Sequence, residues 1–249
     1  MADRIEIEIA LEEARHAEGL HALGVDRIEL CENLAEGGLT PSFGRAREVV
    51  AATPLPVYTM LRPRAGNFHY SSSEQHQMLL DLEMLSKTGI RGVVVGALTE
   101  EGMLDKRFMA LASDKAKQHN LGITFHRAFD VCKDPEAVVQ TLIDLGVERI
   151  LTSGFQPKVD PQGLAQIMSW AKNRIQIQAG SGVNAKVVPG LKEVGVTAFH
   201  CTARKWSASD NDSFGFEGEW KRDEDKIKAL VTAARALDTK KPTPAGVGL

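Results

Sequence analysis

Eight short segments rich in β-branched residues recur along this chain, and their spacing limits the fold more than any other feature. They are "IEIEI" (5–9), "RIELC" (27–31), "PVYTML" (56–61), "GVVVGAL" (92–98), "GITFH" (122–126), "RILTS" (149–153), "IQIQAG" (175–180) and "AFHCT" (198–202). Their starts lie roughly 22 to 35 residues apart, the length of a strand plus a returning helix. Helix-like stretches fill the gaps, among them "LEEARHAEGLHAL", "SEQHQMLLDLEMLSK" and "DPEAVVQTLIDL". In the last, Asp134 is placed to cap, with Pro135 at the first helical position. The joints repeat too: Gly24-Val25, Gly89-Ile90, Gly122-Ile123, Gly146-Val147 and Gly195-Val196 each lead from helix into strand. Glycine suits the left-handed turn that ends a helix, and a β-branched residue then begins extended chain.

Alternating strand and helix implies a parallel sheet with right-handed crossovers. Eight such units in 249 residues predict a single-domain (β/α)8 TIM barrel over residues 1–237, with Pro/Gly-rich residues 238–249 as a flexible tail. A doubly wound open sheet is the alternative, but it calls for a GxGxxG turn after its first strand, and none is there.

Composition narrows the function classes. With a formal net charge of −3 the chain lacks the basic surplus of a nucleic-acid binder. No apolar run approaches the roughly 20 residues of a membrane helix, and "MADRIEIEIA" has no apolar core of a signal peptide. A cytoplasmic protein is expected. Cys31, Cys132 and Cys201 are an odd set without CxxC spacing, which argues against a disulfide framework or a structural zinc. The mixed-sign "KRDEDK" (221–226) reads as the solvated start of a helix.

Polar residues gather at the C-terminal ends of the strands, where barrels of this kind keep their active sites. Period-two alternation sends Glu6 and Glu8, Glu29 and Cys31, then Thr124, His126, Ala128 and Asp130 toward the axis, with Gln176, Gln178 and His200. Such charges either form a buried ion-pair network that closes the core, or they do chemistry. On the chemical reading, His126, Glu8, Glu29 and Asp130 are the candidate acid, base or catalytic groups. Arg62 and Arg64 flank Pro63 in a long loop, and with Arg127 they would hold an anionic group. The turn "QAGSGV" (178–183), with Gly180 and Gly182, precedes a predicted helix from Asn184 and would expose free N–H groups to an anion. Thr152, Ser153, His200 and Arg204 would supply neighbouring donors. The expected partner is a small phosphate- or carboxylate-bearing molecule.

Several segments are specific enough to carry a resemblance: "GVDRIELCENLAEGGLTPSFG", "RPRAGNF", "GALTEEG", "TFHRAFD", "RILTSG" and "FHCTAR". In this order, over roughly residues 5 to 204, the chain resembles the CutC family, which is named for copper homeostasis. The resemblance implies a TIM-type barrel, a cytoplasmic location, a homo-oligomer and a possible copper ligand, with no reaction attached. Copper would fall to Cys31, with His126 or His200. Some relatives carry a cysteine on strand one where this chain has Glu8, so the pair of soft thiolates that cuprous ion prefers is broken here. That departure favours a polar, anion-handling pocket.

Overall fold

The isoleucines of "IEIEIAL" alternate with glutamates, and the strand they form buries the two sets in different places. The computed structural model describes residues 4–208 and 218–238. Ile5, Ile7 and Ile9 pack outward into the main apolar core beneath the helices, while Glu8 is buried on the axis side. Eight parallel strands close into a barrel in sequence order: β1 (Glu6–Leu11), β2 (Arg27–Leu30), β3 (Val57–Met60), β4 (Gly92–Val95), β5 (Gly122–Phe125), β6 (Arg149–Thr152), β7 (Gln176–Ala179) and β8 (Ala198–Cys201). The predicted (β/α)8 TIM barrel is the fold, and each predicted strand is present. No helix among the described residues is long and apolar enough to cross a membrane.

Seven helices follow the first seven strands: α1 (Ala14–Ala17), α2 (Phe43–Ala52), α3 (Ser72–Leu85), α4 (Lys106–Gln118), α5 (Pro135–Asp144), α6 (Pro161–Ala171) and α7 (Val188–Glu193). The side chains of Ser42, Ser71, Asp105, Asp134 and Asp160 accept backbone N–H groups at five of their starts. Two helices are shorter than the sequence suggested. "LEEARHAEGLHAL" gives only the four residues of α1, then turns. The helix expected from Asn184 begins at Val188, so the Gly180–Gly182 turn does not abut a helix N-terminus.

Of the five glycine joints, four have positive φ, but Gly122 does not. There Asn120 takes the left-handed turn at φ 54°, and Gly122 is glycine because a Cβ would lie 2.1 Å from Glu148 Oε2.

After β8 the chain adds an antiparallel hairpin, β9 (Arg204–Ser207) with β10 (Glu219–Arg222), before α8 (Glu224–Asp238). "KRDEDK" is therefore split: Lys221 and Arg222 are on a strand, and the helix starts two residues later. Asp238, assigned to the tail on sequence grounds, closes α8, and its carboxylate accepts the Ile5 N–H at 2.7 Å. The remainder of the expected tail, 239–249, lies outside the described residues.

The barrel interior is polar at depth. Glu8 sits beside Arg27 and His200 in the β1–β2 and β1–β8 registers. Arg27 pairs with Glu8, donates to Thr124 Oγ1 at 2.6 Å and lies 3.3 Å from the Tyr58 ring centre. Nearer the bottom, Arg149 reaches Glu6 at 2.7 Å and Gln176 at 2.6 Å. Arg27 and Arg149 share the inward parity of Glu29 and Leu151, so alternation alone could have placed them. Arg27 and Arg149 with their carboxylate partners thus form a buried ion-pair network in the lower barrel.

Candidate functional site at the C-terminal mouth

Above the ionic plug, the mouth opens into a cavity of about 390 Å3, lined among others by Glu29, Met60, Arg62, Phe68, His126, Arg127, His200 and Lys226. Its wall after β7 is made by Ser181, Gly182 and Val183.

Glu8, an expected catalytic group, is committed below this cavity. One oxygen pairs with Arg27; the other receives Gln178 Nε2 at 3.0 Å and lies 2.8 Å from His200 Nδ1. Burial would raise its pKa, but Arg27 and His200 outweigh it and hold the carboxyl far below its usual range. Glu8 is therefore a fixed anion that orients His200 rather than a group that trades protons.

Glu29 is different. It is buried, its Oε1 has no partner, and its Oε2 lies 3.8 Å from His200 Nε2. Burial dominates here and lifts its pKa above the ordinary 4.5, with His200 opposing and Glu8 reinforcing. For His200, burial pushes the pKa down, but Glu29 and Glu8 together carry it above 6.5. Buried Glu29 and largely buried His200, both with raised pKa values, line the same cavity, an arrangement suited to proton transfer.

Arg62 is buried, and its guanidinium donates to the carbonyls of Glu36 (2.8 Å), Gly38 (3.1 Å) and Gly66 (2.9 Å). It has no carboxylate partner among the described residues. Neutral carbonyls aim the fork without cancelling its charge.

His126, the expected acid or base, has no carboxylate partner either. Its Nδ1 accepts the Ala128 N–H at 3.1 Å, and its ring lies 4.8 Å from that of Phe68. Burial, helped by Arg62, lowers its pKa to about 3. Those surroundings favour the neutral ring over the protonated one and make it a weak base.

Several predicted anion ligands are otherwise employed. The Asp130 carboxylate, expected on the axis, turns into the loop after β6. It accepts Thr152 Oγ1 (2.5 Å), Ser153 N (3.0 Å), Ser153 Oγ (3.0 Å) and Phe155 N (3.3 Å), and it pairs with Arg127 at 2.8 Å. It is the resident anion of the loop where Thr152 and Ser153 were expected to hold a ligand. Arg64 binds Glu74 at 2.5 Å and the carbonyls of Asn67 and His69, which braces its own loop rather than the mouth. Arg204 pairs with Glu12 at 2.9 Å and lies 4.0 Å from the Trp220 ring, fastening the hairpin to the end of β1. Gly180 is a packing glycine whose Cβ would fall 2.7 Å from Leu151 Cδ1. Gly182 remains in the cavity wall. Arg127 reaches it too, half committed to Asp130 and to Ser153 Oγ at 2.9 Å.

Sequence reasoning missed Lys226, whose Nζ donates to Thr202 O at 3.0 Å at the cavity edge. Its only signal was a charge run read as solvated. Phe68 was missed as well, although it lies in the same loop as Arg62.

Glu8, Glu29 and His200 are the one group of three among the described residues whose ligand atoms lie within 4.8 Å of one another. Their oxygens are hard donors, and Arg27 already neutralises Glu8. Cys31 is fully buried beside Glu29, with its thiol pKa pushed well up by burial and by that carboxylate, so it is not a ready thiolate. Neither set fits a cuprous ion.

The CutC family model matches residues 5–205, from β1 into β9. The chain belongs to the CutC family. The family protein CutC of Vibrio campbellii is 37% identical over 246 residues, covering 92% of this chain and 98% of that protein. The human copper homeostasis protein cutC homolog is 40% identical over 202 residues, covering 80% of this chain and 73% of its own length. The crystal structure of a CutC protein from Streptococcus agalactiae superposes with a TM-score of 0.70 at 31% identity, covering 79% of this chain and 97% of that one. A 3-hexulose-6-phosphate synthase structure reaches a TM-score of 0.61 at 19% identity, which speaks to the barrel fold alone.

Proposed function

We propose that this CutC protein is an enzyme that moves a proton on a small anionic metabolite bound at the C-terminal mouth of the barrel. One observation carries the reading: Arg62, a buried guanidinium aimed by three main-chain carbonyls, borders the cavity with no carboxylate to neutralise it. A buried cation without a counter-charge is costly unless a ligand supplies one. Glu29, with a raised pKa and one free oxygen, is the proton-transfer group, and His200, tethered by Glu8, is its partner. Lys226 and the N–H groups of Ser181 to Val183, which meet no acceptor among the described residues, give the far wall a second positive pole. Three free thiols are compatible with a reducing compartment, and on that ground we propose a cytoplasmic site of action.

The human and mouse relatives are named for copper homeostasis. A part in that process does not require the barrel to hold the ion, and the donors here argue against a cuprous site. Anaerobic Cu(I) titration of wild type and Cys31→Ser is expected to give the same weak binding. Tight, stoichiometric binding lost in Cys31→Ser would restore the copper-binding reading.

The direct test is a thermal-shift screen of phosphorylated and carboxylated metabolites against wild type and Arg62→Met. A ligand at about 100 times its Kd adds about 2.7 kcal/mol, or about 5–10 °C for a domain of this size. The expected result is a shift in wild type that disappears in the variant. Anions that never shift the melting point, or shift both proteins equally, defeat the reading.

A further inference from the structure

The loop of "GITFHRAFD" fixes more about His126 than its neutrality. The Ala128 N–H points at Nδ1 from 3.1 Å, so that nitrogen must be the acceptor. In a neutral ring the single proton then resides on Nε2. Nε2 is buried and has no partner. Three features hold the ring in this pose: the Ala128 bond, the Phe68 ring at 4.8 Å, and Gly96, where a Cβ would come within 2.7 Å of the imidazole Cε1 and Nδ1. Only glycine at the end of β4 leaves room for it. The result is an oriented, unused and buried N–H donor on a ring that borders the cavity together with Glu29.

A buried polar group left without a partner costs stability, so a ligand atom is the natural acceptor. That atom is not the anionic anchor, which falls to the Arg62 guanidinium. A neutral imidazole donor suits an oxygen that is uncharged in the substrate and gains charge during reaction, which describes a carbonyl oxygen becoming an enolate.

Building on the anionic-metabolite reading, we propose that His126 donates a hydrogen bond from Nε2 to the carbonyl oxygen of the substrate. The substrate is then a small anionic carbonyl compound, such as a sugar phosphate or a 2-oxo acid, with an exchangeable C–H beside the carbonyl. The Glu29 carboxylate takes that proton. The C–H electron pair becomes a C=C bond, and the carbonyl π pair moves onto the oxygen held by His126, which keeps its own proton. Return of a proton from Glu29 to the same carbon re-forms the carbonyl, so the step is an exchange of the proton beside the carbonyl, and no oxidant, reductant or cosubstrate is consumed. The low pKa of about 3 supports the assignment, because the ring stays in the donor form across the working range.

Two measurements test this. In 15N-labelled protein, long-range imidazole NMR from pH 5 to pH 8, assigned with His126→Gln, should find His126 neutral with its proton on Nε2 throughout. A His126 that titrates near its usual value, or carries its proton on Nδ1, overturns the proposal without any substrate. The second measurement follows deuterium uptake from D2O into a panel of three- to six-carbon sugar phosphates and 2-oxo acids. Uptake is expected beside the carbonyl of a compound whose binding depends on Arg62. Glu29→Gln should abolish it, and His126→Gln should lower kcat on the order of 10²–10³-fold with little change in KM. An anion that binds through Arg62 but lacks a carbonyl, or never exchanges its proton, overturns this inference and leaves the binding reading standing. Failure of every anion to bind takes both down.

Discussion

Replacing Arg27 by Met tests whether the ionic plug, rather than the mouth above it, holds the barrel shut. Arg27 and Glu8 are 4% and 1% exposed, so the substitution removes one charge of a dry pair. Met keeps most of the stem that packs on Tyr58 but cannot reach Glu8 as a cation or donate to Thr124 Oγ1. Breaking a buried pair from one side costs roughly 3–5 kcal/mol. Glu8 retains His200 at 2.8 Å and Gln178 at 3.0 Å, which places the expected loss toward the lower figure. At about 2–4 °C per kcal/mol, the melting temperature should fall by roughly 6–16 °C. The pH dependence gives the sign. With Arg27 present, the Glu8 carboxyl is depressed, so its contribution is full above its ordinary 4.5 and is lost only as the pH falls through the lower folded value. Without Arg27 that pKa rises, and protonation relieves the stranded charge. The deficit should be largest near pH 7–8 and shrink toward pH 4.5, and adding Glu8→Gln should recover much of it at neutral pH. Differential scanning calorimetry of the three proteins across that range decides the matter. An Arg27→Met protein that melts within about 2 °C of wild type, or a deficit independent of pH, would refute the reasoning.

Asp130→Asn should cost about 1.5–3 kcal/mol in urea denaturation, because the loop after β6 loses the charge that four hydrogen-bond donors and Arg127 share; an unchanged midpoint would deny Asp130 that bracing role. Gly96→Ala should displace the His126 ring, costing roughly 1–3 kcal/mol and weakening ligand binding, since its Cβ would stand 2.7 Å from the imidazole; a crystal structure of the variant with His126 unmoved would count against it. His200, held above 6.5, contributes stability that is full below that value and lost as the pH rises through its folded pKa. The melting-temperature gap between wild type and His200→Gln should therefore narrow from pH 6 to pH 9, and a constant gap would mean that His200 does not titrate there.

The course of "GITFHRAFD" marks where sequence reasoning stops. Up to His126 the period-two rule of an extended strand holds, and Ile123, Phe125 and His126 lie where alternation puts them. From Arg127 to Val131 the chain is a 3-10 turn, the alternation ends, and Asp130 swings away from the axis toward Ser153. Arg64 and Arg204 fall outside the alternation rule for the same reason. Both lie past a strand end, where no repeat fixes a side chain's direction, and the partners that claim them, Glu74 and Glu12, are chosen by loop packing.

By itself, the sequence determined the barrel and which strand residues face its axis. Both follow from local regularities, the recurrence of strand and helix and the two-residue period of extended chain, and these need no knowledge of distant neighbours. It could not determine which of the inward charges are spent and which are free. Glu8 and Glu29 have the same parity and similar burial, yet one is saturated by Arg27, Gln178 and His200, while the other keeps an unpartnered oxygen. That difference depends on closure of the barrel, which brings residues 170 and 192 positions away to Glu8. Electrostatic character belongs to the assembled cavity, because a carboxyl's pKa is set by the charges and the water excluded around it. Only the tertiary structure decided that.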